Sequence, residues 1–349
     1  MAEFAAFDGF VPLPHNAKHS TYNLFYADCV KIAEELRFGL RGVFVTGRWM
    51  FAGVLLCSLA AAQTRNAAQR LGYPAGTKLL IVHADDLAVS HSQDRASFTA
   101  LDRHAASSAS IMVPCPWLTE VADYAKAHPH ADLGLHLTLT SEWKTYRWGP
   151  VASRDQVPGL LGPDGNFWPD VAPVVKHASA AEVEKEIRAQ VERALQVGIH
   201  PTHLDSHMGT LFTPAFFAAY VKVARAYGLP FLAMRQPGAP PAMLALLKDS
   251  DIIPDAIVMA AGVKPENWTS YYLGVVRSLK PGLTELIVHL AYDDAEMQAV
   301  TADHPDYGSA WRQRDFDVIT GPAFHQALAD NHVKLIGWRE IKEHQARMP

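Results

Sequence analysis

The sequence predicts an α/β fold in the form of a distorted (β/α) TIM-like barrel, with a single catalytic domain over residues 77–349. From residue 78 onward, short apolar runs alternate with helical patterns, which is typical of a parallel sheet covered by helices. Seven or eight such units fit into about 270 residues, and this number suits a barrel better than an open sheet.

Each unit of the alternation contributes a predicted strand and a predicted helix. The predicted strands are 79–82, 110–113, 133–137, 202–204, 231–234, 257–260, 285–290 and 334–336. The predicted helices are 94–105, 118–127, 180–197, 214–227, 241–248, 294–300 and 322–330. The clearest helix is 180–197, because Ser179 and Glu182 can form a capping box and Gly198 can end the helix in a left-handed conformation.

The composition indicates a globular protein with a sizeable core. Of its 349 residues, 49% are hydrophobic and 19% are charged, which excludes a disordered chain. The formal net charge is −5 and no block of Lys or Arg is present, so we expect no nucleic-acid partner. The three cysteines lack the spacing of a structural zinc site. The composition leaves a homodimer open.

Residues 1–76 form an N-terminal extension that differs from the rest of the chain. Arg48, an apolar run of about ten residues and small residues at Ala60 and Ala62 resemble a secretory signal at about 45–62. A transmembrane helix needs roughly 20 apolar residues, so we expect no stable membrane insertion. If this segment is used, the protein is exported, either periplasmic or secreted; otherwise it is cytoplasmic. The alternative is an N-terminal helix that buries its apolar stretch.

The segment 143–176 is a long insertion without clear periodicity. It contains five aromatic side chains among several Pro and Gly residues: Trp143, Tyr146, Trp148, Phe167 and Trp168. Loops of this length are usually functional or disordered. The aromatics could stack on sugar rings, or the loop could fold over the barrel and bury them.

Polar residues lie at the ends of four of the predicted strands. They are His83, Asp85 and Asp86 in HADD, His136 in GLHLTLT, His203, Asp205 and His207 in THLDSHMGTL, and His289 in ELIVHLAYDD. In a barrel, all four strand ends meet at one rim, where active sites lie. A single His among apolar residues is more often a hydrogen-bonded core residue, but four clusters on one rim are hard to explain by packing, because buried His and Asp must be paired.

The adjacent carboxylates Asp85 and Asp86 carry the strongest chemical signal. Two carboxylates at a buried strand end repel each other unless a cation lies between them or one of them is protonated. A site that combines a metal with a general base is therefore the leading hypothesis. A solvated turn, or an Asp that caps the next helix, is the alternative.

The blocks HADDL, GLHLTLT and THLDSHMGTL resemble, in this order, the signature blocks of the YdjC-like carbohydrate deacetylases over about residues 77–340. The resemblance implies a distorted (β/α) barrel that binds a divalent metal, Mg²⁺ in most members and Zn²⁺ in some. It also implies hydrolytic removal of the N-acetyl group of an amino sugar or small oligosaccharide. In three places the sequence departs from the family pattern: Ala88 replaces a Gly, Met208 and Gly209 replace His residues, and Leu290 replaces a Pro.

Carried onto this chain, the resemblance implies that Asp86, His136 and His207 are the metal ligands. Asp85 would be the general base and His289 the general acid. Arg312 would hold the base carboxylate or the substrate.

The chemistry of the residues agrees with these roles. Two imidazoles and one carboxylate suit a catalytic divalent site, and by ligand softness they suit zinc, iron or manganese. A cation there would polarise the acetyl carbonyl and stabilise the oxyanion, while an Asp base and a His acid would move the protons. Another metal-dependent hydrolase, such as an amidase or phosphoesterase, and a non-catalytic carbohydrate-binding protein remain as alternatives.

Overall fold

A seven-stranded, all-parallel sheet forms the centre of the protein. The structure is a computed structural model that describes residues 65–235 and 239–347. The strands are β1 (Lys78–Leu87), β2 (Ser108–Ile111), β3 (Leu133–Leu137), β4 (Leu204–Ser206), β5 (Ala256–Met259), β6 (Gly282–His289) and β7 (Val333–Leu335). All described residues fall within one compact unit, residues 62–349.

The strand order is β4-β3-β2-β1-β6-β5, with β7 beside β1. β6 pairs with one edge of β1 along eight residues, and β2 pairs with the end of the other edge. β7 pairs with Lys78, Leu79 and Leu80 at the start of β1, on the same edge of β1 to which β2 pairs later in the strand. The sheet is therefore a partly open, distorted barrel, and the predicted fold class is confirmed.

Helices connect the strands. The α-helices are Ala67–Arg70, His91–Asp102, Leu118–Ala127, Val171–His177, Ala180–Gln196, Phe217–Ala226, Pro241–Leu244, Trp268–Ser278, Ala295–Val300, Ser309–Ile319, Pro322–Asp330 and Trp338–Ala346. All seven predicted helices overlap one of these, and the capping box of Ser179 and Glu182 is present. Five helices were not predicted: Ala67–Arg70, Val171–His177, Trp268–Ser278, Ser309–Ile319 and Trp338–Ala346.

Seven of the eight predicted strands overlap a strand of the structure, and the prediction of a strand at 231–234 is wrong. There the chain forms only an isolated bridge between Phe231 and Leu204. Pro230 precedes it and has no N–H to donate, which limits the ladder to the two hydrogen bonds on either side of Leu204.

Both faces of β1 are buried, as expected for the central strand of a parallel sheet. Leu80 and Val82 belong to the larger hydrophobic cluster, whereas Leu79 and Ile81 belong to a smaller one. This burial fixes the register of β1, because a shift by one residue would exchange the two sets of side chains.

The packed unit begins before residue 77. The helix Ala67–Arg70 places Ala67 and Ala68 in the smaller cluster, and the Ala67 N–H donates to Asp255. The signal-like segment 45–62 lies outside the described residues, so export stays a prediction. No helix in the described part of the chain is long and apolar enough to cross a membrane.

The long insertion buries its own aromatic side chains. Trp143, Trp148 and Phe167 are buried in the larger cluster, and Trp148 Nε1 donates to the Thr140 carbonyl. Trp168 is half-buried and stacks on His177. The structure therefore favours a loop that covers the barrel over a platform for sugar rings.

Candidate active site

An irregularity at the end of β1 brings both carboxylates of the DD pair to one cluster. The pairing of β1 with β2 changes register between Ala84 and Leu87, and Asp86 has a φ of 70°. In a regular strand, consecutive side chains point to opposite faces. Here Asp85 Oδ2 lies 3.8 Å and Asp86 Oδ1 lies 3.4 Å from His136 Nε2. A bulge that redirects a side chain in this way is common next to active sites.

Ala88 takes a left-handed conformation in the turn that follows, with a φ of 75°. Residues with a Cβ reach this region only at a cost, which Gly avoids. Two hydrogen bonds hold the turn: the Ala88 N–H donates to Asp94 Oδ1 at 2.6 Å, and its carbonyl accepts from the Trp117 N–H at 3.0 Å. The Ala at this position therefore keeps the backbone shape that a Gly would take.

Asp86, His136 and His207 lie together, although 121 residues separate the first from the last. His136 Nε2 is 3.4 Å and His207 Nδ1 is 3.3 Å from Asp86 Oδ1. One ligand atom from each of the three lies within 4.8 Å of the other two, and all three side chains are buried. The structure thus brings together the three residues that the family resemblance implied as metal ligands.

Each imidazole of this group is held by a carboxylate on its other nitrogen. His136 Nδ1 lies 2.7 Å from Asp205 Oδ1, and His207 Nε2 lies 3.0 Å from Glu142 Oε2. Such partners fix the tautomer and the ring orientation of metal-binding histidines. Burial alone would lower the pKa of His207, but the charges of Glu142 and Asp86 outweigh it and raise this pKa to about 10.

Arg312 holds Asp86, whereas the resemblance suggested the base or the substrate. Its Nη2 lies 2.7 Å from Asp86 Oδ2, and its other donors bond Gln93 and the Tyr307 carbonyl. Arg312 is 1% exposed, so its guanidinium is a partner of Asp86 inside the protein and does not face a substrate. Burial favours the neutral form of Asp86, but the charge of Arg312 outweighs this and holds its pKa well below the usual range.

The two oxygens of Asp86 are used differently. Oδ2 accepts from Arg312, whereas Oδ1 is buried without a hydrogen-bond partner among the described residues. A buried carboxylate oxygen without a donor is costly. Because Oδ1 faces the two imidazoles, one oxygen and two nitrogens form a donor set that fits a divalent cation.

Asp85 and His289 are neighbours across the sheet. They are paired in the register of β1 with β6, and His289 Nε2 lies 4.0 Å from Asp85 Oδ2. The backbone N–H of His289 donates to Asp315 Oδ2 at 3.0 Å. Burial lowers the pKa of His289 to about 4, so its imidazole is neutral near pH 7.

Sequence reasoning missed two residues that support the site and the contact of a third. Glu142 lies in an irregular stretch after β3 and carries no periodic signal. Asp315 follows Arg312 by three positions on an unpredicted helix. Asp205 is among the polar residues of THLDSHMGTL, but its contact with His136 was not expected. The spacing of His203, Asp205 and His207 by two positions was the one available signal, because β4 places Asp205 opposite His136 in the sheet register.

Fold and site together define a parallel (β/α) barrel protein with a carboxylate–imidazole centre at its strand ends. The chain belongs to the YdjC-like protein family, whose model matches residues 79–330. The resemblance noted in the sequence is thereby confirmed.

Relatives of known name cover most of the chain. A carbohydrate deacetylase of Thermus thermophilus is 32% identical over 282 residues, which span 79% of this chain and 97% of that protein. A chitooligosaccharide deacetylase of Serratia marcescens is 24% identical over 76% of this chain and 99% of that protein. A crystal structure from Enterococcus faecalis V583, described as that of a candidate cellobiose-phosphate cleavage protein, has a TM-score of 0.65 at 23% identity. It covers 76% of this chain and 99% of that chain, and it supports the fold.

Proposed function

We propose that this protein is a metal-dependent carbohydrate deacetylase that hydrolyses the N-acetyl group of an amino sugar or a short oligosaccharide. The observation that carries the proposal is the division of labour in the DD pair. Asp86 faces two imidazoles, while Asp85 lies beside a third, His289. The names of the relatives, carbohydrate deacetylase and chitooligosaccharide deacetylase, support the substrate class.

Asp86 Oδ1, His136 Nε2 and His207 Nδ1 would hold the cation. A divalent ion bound there would supply Lewis-acid chemistry, polarising the acetyl carbonyl and making water more acidic. Two imidazoles with one carboxylate favour zinc, iron or manganese, because magnesium prefers oxygen ligands. We therefore propose a transition metal or zinc over the Mg²⁺ that the resemblance implied.

Asp85 serves as the general base in this proposal. Its carboxylate accepts a proton from the attacking water as the new C–O bond forms at the acetyl carbon. The C–N bond then breaks, and the products are acetate and the free amine of the sugar.

His289 protonates the leaving nitrogen. With a pKa of about 4, His289 does not hold a spare proton near pH 7. The proton that it delivers is therefore the one that Asp85 has taken from water. The 4.0 Å between Asp85 Oδ2 and His289 Nε2 is longer than a direct hydrogen bond, so one water molecule or a small rotation of either side chain passes the proton on.

The test is acetate release from a panel of N-acetylated glucosamine oligosaccharides, with phosphate release from sugar phosphates measured in parallel. We expect acetate release by the wild type with added Zn²⁺ or Mn²⁺, and loss of at least about 100-fold in kcat for Asp85→Asn with its metal content retained. Near-full activity of Asp85→Asn would refute the assignment of the base. Phosphate release without acetate release would refute the reaction class.

A further inference from the structure

We propose that His83 is the positioning residue that holds the base Asp85 in its reactive orientation. This inference rests on the proposed function for the chemical role of Asp85. The family resemblance assigned no role to His83, and the mechanism above does not use it.

The first argument is the direct contact between the two side chains. His83 and Asp85 are two positions apart on β1, so their side chains lie on the same face of the strand. His83 Nε2 is 3.1 Å from Asp85 Oδ1, whereas the other oxygen, Oδ2, is the one that lies 4.0 Å from His289 Nε2. Ser110 Oγ donates to the same oxygen at 3.4 Å. The hydrogen bonds of His83 Nε2 run to Asp205 Oδ2 and Ser110 Oγ, so His83 holds Asp85 Oδ1 by the close charge contact and leaves Oδ2 to accept the proton.

The second argument is that no Arg or Lys in the part of the chain that the structure describes pairs with Asp85. The one buried guanidinium near the DD pair, Arg312, bonds Asp86. Among the described residues, the ion-pair partners of Asp85 are three imidazoles, at 3.1 Å for His83, 3.8 Å for His136 and 4.0 Å for His289. His136 is a candidate ligand and His289 the candidate acid, so His83 is both the nearest partner and the one with no other chemical task.

The third argument is the rigid seat of His83 itself. The side chain is fully buried, and Nε2 also lies 2.9 Å from Asp205 Oδ2 and 3.0 Å from Ser110 Oγ. On the opposite side of the ring, Nδ1 faces Glu285 Oε1 at 3.8 Å. Burial lowers the pKa of His83, but the neighbouring carboxylates of Asp205 and Asp85 outweigh it and raise this pKa well above the usual value.

Asp205 links this seat to the candidate metal centre. Its Oδ2 contacts His83 and its Oδ1 contacts His136. One carboxylate therefore sets the distance between the imidazole that orients the base and an imidazole that would bind the ion. Misplacement of a catalytic group by about 1 Å can cost about 100-fold in rate.

The experiment compares His83→Leu, His83→Gln and the control Glu186→Gln in the metal-loaded enzyme. We expect His83→Leu to lower kcat by about 100-fold, with KM and the metal content unchanged. His83→Gln places an amide N–H near the position of Nε2 and should recover about tenfold of this loss. Glu186 is equally buried but accepts from the backbone N–H groups of Val151 and Ala152, so Glu186→Gln should keep its kcat within about twofold.

Crystal structures of the variants separate this inference from the proposed function. In His83→Leu, or in His83→Gln should the Leu variant not fold, we expect the Asp85 carboxylate to turn away from its wild-type direction or to lose its single conformation. An unchanged Asp85 with unchanged kcat would overturn the inference. Equal losses of kcat and metal in both His83 variants would also overturn it, because His83 would then be merely structural. If the wild type released no acetate, the proposed function would fail, and the orientation of Asp85 would still decide whether His83 holds it.

Discussion

Binding of a divalent cation is expected to release protons from the site. In the metal-free protein His207 has a pKa of about 10, because Glu142 and Asp86 flank its two nitrogens and outweigh the effect of burial. At pH 7 the protonated form of His207 is then about 10³ times more populated than the neutral form, which corresponds to a free-energy difference of about 4 kcal/mol. A cation must displace the proton on Nδ1, since only the neutral ring is a ligand.

Two measurements check this expectation on chelator-treated protein. Calorimetric titration with Mn²⁺ at pH 7, in two buffers of different ionisation enthalpy, should show release of about one proton or more per ion. The affinity should rise about tenfold per pH unit between pH 7 and pH 9.

A pair of variants identifies the source of the proton. Glu142→Gln removes the charge that raises the pKa of His207, so fewer protons should be released at pH 7. Glu186→Gln is the matched control, because Glu186 is a buried carboxylate that accepts from the backbone N–H groups of Val151 and Ala152. Binding of Mn²⁺ without proton release, and with an affinity that does not change from pH 7 to pH 9, would refute the role given to His207 and Glu142.

Two further predictions concern stability. The folded protein holds the pKa of His289 at about 4, so between pH 6.5 and pH 4 the unfolded chain binds a proton on this residue that the folded protein does not. The contribution of neutral His289 to the free energy of unfolding is therefore fully present above pH 6.5 and is lost on acidification to pH 4. In the metal-free protein, the substitution His289→Gln should remove up to about 3 kcal/mol of this acid-induced loss. An unfolding free energy with the same pH dependence in the wild type and in His289→Gln would contradict this prediction. Trp143→Ala should lower the free energy of unfolding by about 3–5 kcal/mol with KM unchanged, whereas a higher KM at unchanged stability would indicate a sugar platform.

The family resemblance named the three residues of the candidate metal centre, and the convergence of parallel strand ends explains why they lie together, because each lies at or just after the carboxyl end of a strand. Hydrophobic runs located β1, β3 and β6 well, since these strands are buried along their length. Strand order around the barrel was not accessible in the same way. For example, β7 and β2 pair with the same edge of β1. This arrangement depends on packing between segments far apart in the chain, which local sequence patterns do not predict.

The partners of the site residues were harder to predict than the site itself. The helix Ser309–Ile319 buries Arg312 and Asp315 among apolar residues, so its hydrophobic period is broken and the helix was missed. Arg312 reaches Asp86 across 226 positions of sequence, and no spacing rule connects them. The left-handed Ala88 shows the same limit, because tertiary hydrogen bonds override a local preference for Gly.

The most direct test of the metal centre is the number of metal ions per chain after reconstitution and removal of excess ion. We expect one ion in the wild type and in Asp85→Asn, and none in Asp86→Asn, His136→Ala or His207→Ala. Retention of the ion by all three of the latter variants, or its loss in Asp85→Asn alone, would contradict the proposed centre.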